Sequence, residues 1–307
     1  MRRYQSEEDY WLIRDFLRKV MLLNNRREKS WHVARFDYWR WHGIENQGDG
    51  KLEKDVFIWE GPDKEIIAVL NREEEGRAFF QIHPDFKTPH LEKEMLAVAE
   101  KHLLGVKISG KKFLWVWLDS EDTQCQEILK KGGYQLVTEP ETKEHQRCQE
   151  LGSEIPEPAV PEGYHVRALG EADELPSRSW ASYKAFHPDA PDDKYGGWEW
   201  YLNIQRAPLY SRDLDIVAVS PQKEIVSFTT VWYDDVTKTA YFEPVGTHHA
   251  HQRRGLGKAV MTEGLRRVRQ IGCTLAFVGG YSKAANALYS SAGFKDFDLS
   301  EPWVKEF

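Results

Sequence analysis

Two glycines, Gly255 and Gly257, lie at the junction between a predicted strand and a predicted helix. Residues 238–247 favour a strand, and residues 255–271 repeat apolar side chains at helical spacing. The start of a helix offers N–H groups without acceptors and the positive end of the helix dipole, and glycine leaves that backbone uncovered. This combination is typical of a site where the main chain binds a pyrophosphate.

The spacing of the glycines excludes two other phosphate-binding loops. Gly255 and Gly257 are only two residues apart, whereas the P-loop requires Gly-x-x-x-x-Gly-Lys-Ser/Thr. Val260 stands where the dinucleotide loop Gly-x-Gly-x-x-Gly requires its third glycine. The remaining pattern is Gln252, two residues, Gly255, one residue and Gly257, directly after a strand.

This pattern resembles the acyl-CoA pyrophosphate loop of the GNAT acetyltransferase superfamily, which reads Arg or Gln, two residues, Gly, one residue, then Gly or Ala. Residues 245–247 are similar to the family's Val-x-Val strand end, and residues 288–294 to its Leu-Tyr-x-x-x-Gly-Phe motif. The resemblance implies acetyl-CoA as a co-substrate, and we expect no metal. The implied cofactor-binding residues are Val245, Gly246, Thr247, Gln252, Arg253, Arg254, Gly255, Leu256, Gly257, Lys258 and Ser282.

Two positions depart from the family pattern. His249 stands where the family often has Pro, and Ser282 stands where it has Asn, seven residues before Tyr289. A serine can still cap a helix and accept a hydrogen bond, so we expect an altered CoA contact at Ser282.

Acetyl transfer to an amine requires a neutral amine, a polarised thioester carbonyl and a proton for the departing thiolate. By resemblance, Tyr289 is the general acid, since an ordinary phenol pKa of about 10 keeps it protonated at neutral pH. Main-chain N–H groups of residues 245–247 would polarise the carbonyl. Tyr241 occupies the position of the family's catalytic Glu, and alternation places Glu243 on the same face, so Glu243 is the candidate base.

Each candidate also has a structural alternative. Tyr289 could be a core residue that only packs against the cofactor, and Glu243 an exposed carboxylate or one that merely attracts a cationic substrate. His248 and His249 titrate in a suitable range, but they lie beside the cofactor loop.

The chain of 307 residues is predicted to form two domains, each with the order ααβββαβα, which indicates an internal duplication. Residues 139–162 contain four prolines and many charges, so we predict domains at 1–145 and 163–307 with a linker at 146–162. The predicted fold class is α/β, an α+β mixed sheet in each of two tandem GNAT-like acyl-CoA acyltransferase domains.

The first half lacks the features that carry chemistry in the second. No glycine follows its third predicted strand, Pro89 removes a donor at the matching helix start, and Leu129 lies at or beside the position of the tyrosine. We therefore interpret residues 1–145 as a degenerate acetyltransferase fold that shapes the acceptor groove. Helix packing is the favoured role of four polar and aromatic residues, although they could line a pocket: Trp31, Arg35, Tyr38 and Trp39.

Composition excludes several classes of protein. A net charge of −7 with both signs interspersed gives no basic surface for nucleic acid. The three cysteines lack metal-ligand spacing and fit a reducing cytoplasm, and no apolar run is long enough to span a membrane.

The sequence therefore predicts a cytoplasmic N-acetyltransferase that moves an acetyl group from acetyl-CoA to a primary amine, with a small molecule as the expected acceptor. The alternative is an acyl-CoA-binding sensor or regulatory module without turnover. Tyr289 favours the enzyme, because pure binding does not require an acid there.

Overall fold

The computed structural model describes residues 1–47, 51–152 and 154–307. Contacts between Cα atoms divide the chain into two compact units. Unit 1 comprises Met1–Gln146 and the C-terminal segment Asp298–Phe307, and unit 2 comprises Arg147–Phe297.

Unit 1 begins with a short strand and helices, followed by three strands and two further helix–strand pairs. Its elements are β1 (Arg2–Arg3), α1 (Glu7–Leu23), α2 (Val33–Tyr38), a π-helical segment (Trp39–Ile44), α3 (Glu45–Gln47), β2 (Val56–Glu60), β3 (Ile66–Arg72), β4 (Arg77–Ile82), α4 (Pro89–His102), β5 (Gly105–Val106), β6 (Lys112–Asp119), α5 (Thr123–Lys131) and β7 (Gln135–Leu136). Strand β8 (Glu144–Glu150) crosses the boundary between the units.

In the sheet of unit 1, the strand order is β1-β2-β3-β4-β6, with antiparallel neighbours except for the parallel pair β4 and β6. Helices α4 and α5 bury an apolar face against the sheet, with Met95 and Leu129 fully inaccessible. Burial of each such side chain contributes about 1.5–3 kcal/mol, so these contacts hold the helices in place.

Unit 2 repeats the same order of elements. They are β9 (His165–Ala168), α6 (Leu175–Phe186), α7 (Trp200–Ile204), β10 (Asp215–Val219), β11 (Ile225–Asp234), β12 (Thr239–Thr247), α8 (Leu256–Gln270), β13 (Leu275–Gly280), α9 (Lys283–Ala292) and the start of β14 (Asp296–Glu306). The strand order is β8-β13-β12-β11-β10-β9, in which β12 and β13 run parallel.

Helix α8 packs on this sheet through the apolar stripe that its sequence predicts. Val260, Met261, Leu265 and Val268 recur at helical spacing, and each is no more than 1% exposed. Residues 248–255 connect the end of β12 to the start of α8, so the glycine loop lies between these two elements.

The predicted order of strands and helices is confirmed in both halves, and the strand at 238–247 and the helix at 255–271 are confirmed within one residue. The predicted domain boundaries differ from the compact units in two places. Residues 144–150 form β8 instead of the start of a linker, and residues 298–307 belong to unit 1 instead of the second domain. The reason for the second difference is that Ser300–Glu306 of β14 pairs antiparallel with Asp119–Phe113 of β6.

The structure also describes the state of the three cysteines and the apolar character of the helices. Cys125, Cys148 and Cys273 are buried, and none of them forms a disulfide within the described residues. Within the described residues, no helix is both long enough and apolar enough to cross a membrane.

Candidate active site

The glycine loop ends in a left-handed residue at the start of α8. Gly255 is the N-cap of the helix at φ = 85°, and a Cβ added there would meet no atom within 4 Å. The first helical hydrogen bond runs from the Ala259 N–H to the Gly255 carbonyl over 3.0 Å. The N–H groups of residues 256–258 therefore have no acceptor within the helix, and the space beside Gly255 is open, as an anion site requires.

Gly257 has a packing role in addition to the predicted one. A Cβ at this buried position would lie 3.1 Å from Leu288 Cδ2 and 3.4 Å from Thr247 Oγ1. Its missing side chain therefore allows α8 to pack against α9, and only Gly255 borders open space. The predicted contact of Gly257 with the cofactor stays a prediction, because packing against α9 leaves its main-chain N–H at the start of α8.

The polar side chains of the loop divide into two groups. Arg253 and Lys258 are exposed. Gln252 instead donates to the Thr247 carbonyl over 3.2 Å, and Arg254 donates to the Tyr164 hydroxyl over 2.9 Å. These two side chains hold the loop in its conformation, so Arg253 and Lys258 are the cations available to a ligand.

A cleft opens between β12 and β13 beside the loop. The two strands pair only from Thr239 to Tyr241 on β12 and from Leu275 to Phe277 on β13. Just past the end of β12, the main-chain N–H of His248 donates to the Val226 carbonyl on β11 over 2.8 Å. Because antiparallel strands alternate their bonding, the N–H groups of Val245 and Thr247 face away from β11, toward the cleft.

Glu243 lies at a β-bulge in β12. Thr229 pairs with Val245 and Val231 with Phe242, so β12 contains one residue more than β11 in this interval. The Trp232 indole N–H donates to the Glu243 carbonyl over 2.5 Å and fixes the bulge. Glu243 is half-buried where the strands diverge.

Tyr289 is held in place by the end of α9. Gly293 adopts φ = 115° as the C-cap, and the Phe294 N–H donates to the Tyr289 carbonyl over 3.1 Å. Phe294 is fully buried and packs edge-on against Phe242, with ring centroids 5.5 Å apart. The Gly-Phe pair of the sequence motif therefore anchors the helix that carries Tyr289.

Burial and the charge of Glu243 both act on the Tyr289 phenol. Tyr289 is 7% exposed, and burial followed by the charge of Glu243 raises its pKa above the ordinary value. The phenol therefore keeps its proton at neutral pH while lying close enough to the carboxylate to sense its charge.

The start of α9 confirms one predicted contact and adds residues that the sequence analysis missed. Ser282 caps the helix by accepting from the Ala285 N–H over 3.1 Å. Asn286 donates to the Gly280 and Ser282 carbonyls, and its Oδ1 accepts from Arg147 Nε over 2.6 Å. Arg147 thus braces α9 from β8, a strand whose polar sequence hides it from apolar periodicity.

The histidines of the loop are structural. His248 Nδ1 accepts from the Ala250 N–H over 3.1 Å, and the rings of His248 and His249 stack with centroids 4.6 Å apart. Burial, followed by the neighbouring His249 and His251, lowers the pKa of His248. A neutral His248 that caps its own loop contributes little charge to a cofactor site.

Unit 1 lacks the corresponding machinery. Pro89 is at the start of α4, and Leu129 is fully buried in the core. Three of the four candidate pocket residues are buried: Trp31, Arg35 and Trp39. Arg35 forms an ion pair of 2.8 Å with Glu144, and Tyr38 stacks on His42 at 4.8 Å. Packing is therefore the main role of these residues, although Trp31 also lines a cavity.

Several known proteins share this fold. One is a GCN5-related N-acetyltransferase from Sphaerobacter thermophilus, with 16% identity, 99% of this chain and 94% of that chain covered, and a TM-score of 0.68. A tandem GNAT protein from the clavulanic acid biosynthesis pathway has 12% identity, coverage of 99% and 97%, and a TM-score of 0.66. A GNAT-family acetyltransferase from Colwellia psychrerythraea has 13% identity, coverage of 100% and 98%, and a TM-score of 0.59.

These identities show the fold alone, and no curated protein matches the sequence significantly. The family is assigned by a separate match, which places residues 173–294 in the acetyltransferase (GNAT) family. That segment contains the glycine loop, Glu243 and Tyr289. Residues 173–294 of unit 2 therefore match the acetyltransferase (GNAT) family, and the whole chain has the fold of two GNAT-like units in tandem.

Proposed function

We propose that unit 2 transfers an acetyl group from acetyl-CoA to a primary amine. The observation that carries the proposal is the arrangement of Tyr289 and Glu243 beside the diverging strands β12 and β13, next to a helix start with free N–H groups. A family member that lacked turnover would not need a buried, protonated phenol near a carboxylate. A small-molecule acceptor remains the proposal for the amine.

Binding of acetyl-CoA would use three parts of unit 2. The N–H groups at the start of α8 and the rim cations Arg253 and Lys258 match a pyrophosphate. The outward N–H groups of Val245 and Thr247 match the polar groups of the pantetheine arm and the thioester carbonyl. Gln252, Arg254 and Ser282 contribute by holding the loop and the start of α9 in shape.

The chemistry follows from the protonation states. Glu243 accepts a proton from the attacking ammonium, directly or through a water, so that the neutral amine forms a C–N bond with the acetyl carbon. The C–S bond then breaks, and Tyr289 donates its proton to the CoA thiolate. The acetylated nitrogen loses its remaining extra proton, which returns to the Tyr289 phenolate directly or through a water, while Glu243 releases the proton of the ammonium to solvent. The N–H groups of β12 stabilise the negative charge on the carbonyl oxygen during the transfer.

The broadest test is a screen of small primary amines with acetyl-CoA, in which the release of free CoA is measured. We expect at least one amine to release CoA at a rate above acceptor-free hydrolysis. Acetyl-CoA binding without release by any amine would instead support the acyl-CoA-binding module.

Acetyl-CoA should bind once per chain. Only unit 2 has a glycine at the start of the matching helix, whereas unit 1 has Pro89 there. Calorimetric titration of the full chain should therefore give a stoichiometry of one. Two equivalent sites, or none, would contradict the assignment to unit 2.

Replacement of Glu243 by Gln should lower turnover below about pH 8 and leave acetyl-CoA affinity unchanged, because the variant cannot accept the amine proton. The rate should recover at higher pH, where more of the amine is already neutral. Glu224→Gln, at an exposed position before β11, is the control and should behave like the unaltered protein. If the pH–rate profile of Glu243→Gln does not change, Glu243 is not the base.

A further inference from the structure

Unit 1 contains a cavity of about 570 Å³ that the proposed reaction does not use, and all its lining residues belong to that unit. It opens where β4 and β6 diverge, since these strands pair only from Arg77 to Phe79 and from Trp115 to Trp117. This is the position that the cleft between β12 and β13 occupies in unit 2. The duplication has therefore left a second cleft with different walls.

Aromatic rings form one wall of the cavity. Trp31 packs on Phe79 with ring centroids 4.9 Å apart, and Phe79 stacks on Trp117 at 5.9 Å. The Trp31 main-chain N–H donates to Gln81 Oε1 over 2.7 Å, which ties the ring to the end of β4. Such a rigid aromatic wall suits the carbon skeleton of a small organic molecule and the face of a cation.

Carboxylates dominate the remaining lining. Five acidic side chains face two ammonium groups, those of Lys29 and Lys87; the acids are Glu28, Glu92, Asp119, Glu121 and Asp122. Lys29 is bound by Asp119 over 2.7 Å and by Glu121 over 3.2 Å, so its charge is already matched. An excess of negative charge favours a cationic ligand and disfavours the phosphates of CoA.

Glu92 provides the specific anchor. It is fully buried on α4, and its Oε2 accepts from Gln124 Nε2 over 2.6 Å. Its Oε1 is buried and accepts no hydrogen bond from any residue that the structure describes, since Lys87 Nζ is 3.7 Å away. A buried carboxylate oxygen without a donor is costly, and a ligand N–H would satisfy it.

Trp31 provides a hydrogen-bond donor that complements the acceptor oxygen of Glu92. Its indole N–H is buried and has no acceptor within the described part of the chain. A ligand that also carries a hydroxyl or carbonyl oxygen would satisfy this donor.

A metal ion is a poorer match for the same place, although ligand atoms of Glu92, Asp122 and Cys125 lie within 4.8 Å of one another. Lys87 Nζ binds Asp122 Oδ2 over 2.5 Å, so this carboxylate is already paired and does not offer a metal ion the second ligand that it needs. Burial raises the pKa of the Cys125 thiol, which therefore keeps the proton that metal binding must remove.

We propose that the cavity of unit 1 binds a small organic amine, with its ammonium group at Glu92 and its carbon skeleton against Trp31, Phe79 and Trp117. The site is separate from the acetyl-CoA cleft of unit 2. Because it depends only on unit 1, it stands whether or not unit 2 turns over an acceptor.

The test is calorimetric titration of the full chain, without acetyl-CoA, with three amines up to about 10 mM: 1,5-diaminopentane, tyramine and glucosamine. We expect at least one amine to bind at one site per chain, and the uncharged 1,5-pentanediol not to bind. Glu92→Gln should weaken binding by about tenfold or more, because it removes the charge that pairs with the ammonium group.

Two matched variants locate the site. Glu94→Gln alters an exposed carboxylate on the same helix, and Glu243→Gln alters the carboxylate of unit 2. Both should keep the affinity. If Glu92→Gln does not fold, Trp31→Phe is used in its place. This variant removes the indole N–H and part of the ring, so it should weaken the binding of glucosamine, which has oxygens to accept from that N–H, more than the binding of 1,5-diaminopentane.

Several results would overturn the proposal. They are the absence of binding by all three amines, loss of binding in Glu243→Gln but not in Glu92→Gln, and competition by acetyl-CoA. Zn²⁺ binding that Cys125→Ser removes, without amine binding, would also overturn it and identify a metal site instead.

Discussion

Replacement of Tyr289 by Phe should slow the chemical step by about a hundredfold or more, the usual scale of general acid catalysis. The variant removes one hydroxyl from a ring that packs in the core of unit 2, so acetyl-CoA binding should change by less than about 1 kcal/mol. The effect should appear in kcat more than in KM, because the hydroxyl acts only as charge develops on sulfur. Turnover is measured with an acceptor from the amine screen, and binding by calorimetry.

Tyr233→Phe is the matched control. Tyr233 is half-buried against the same apolar cluster, and its hydroxyl donates to the Ile271 carbonyl over 3.3 Å, so this variant removes a tyrosine hydroxyl of unit 2 that has no part in the proposed chemistry. It should keep full kcat. If Tyr289→Phe also keeps full kcat while chemistry is rate-limiting, Tyr289 is only a packing residue and unit 2 is left with binding alone.

The sequence alone predicts the helices and strands whose apolar residues repeat at a regular spacing. The stripe of α8 and the alternation of β12 have the periods of a helix and a strand, so the position of the glycine loop between them follows from the pattern. The Gly-Phe pair after α9 likewise predicts the helix end that holds Tyr289, because glycine accepts the left-handed conformation there.

Strand β8 could not be found in this way. Its sequence, Glu-His-Gln-Arg-Cys-Gln-Glu, has almost no apolar residues, yet Glu144, Gln146 and Cys148 are buried on one face. Glu144 is stabilised there by the ion pair with Arg35, a long-range contact that local periodicity does not encode. Arg147 was missed as a brace of α9 for the same reason.

The residues of the candidate site could be named from the sequence, but the backbone geometry that positions them could not be predicted. Glu243 was selected from alternation along β12, which assumes a regular strand. The structure contains a bulge at this point, and Pro244 was the available signal, because proline within a strand is confined to edges and bulges. The packing role of Gly257 was also missed, since its close neighbour Leu288 is distant in sequence.

Replacement of Gly255 by Val should remove acetyl-CoA binding, with a loss of affinity of at least about a hundredfold, or about 2.8 kcal/mol. Two effects combine. A β-branched residue disfavours the conformation at φ = 85°, which shifts the N–H groups at the start of α8, and its side chain would occupy the open space in front of them. Calorimetry with acetyl-CoA measures the loss, and circular dichroism with thermal unfolding verifies the fold.

Gly272→Val separates backbone strain from loss of the binding site. Gly272 adopts φ = 99° just after the other end of α8, and a Cβ there would make only an ordinary contact of 3.6 Å with the Tyr233 hydroxyl. Both variants should lower the melting temperature because valine is strained at each position, but only Gly255→Val should lose acetyl-CoA. Equal loss of binding in the two variants would attribute the effect to destabilisation of α8. Full binding by a folded Gly255→Val would exclude the start of α8 as the pyrophosphate site.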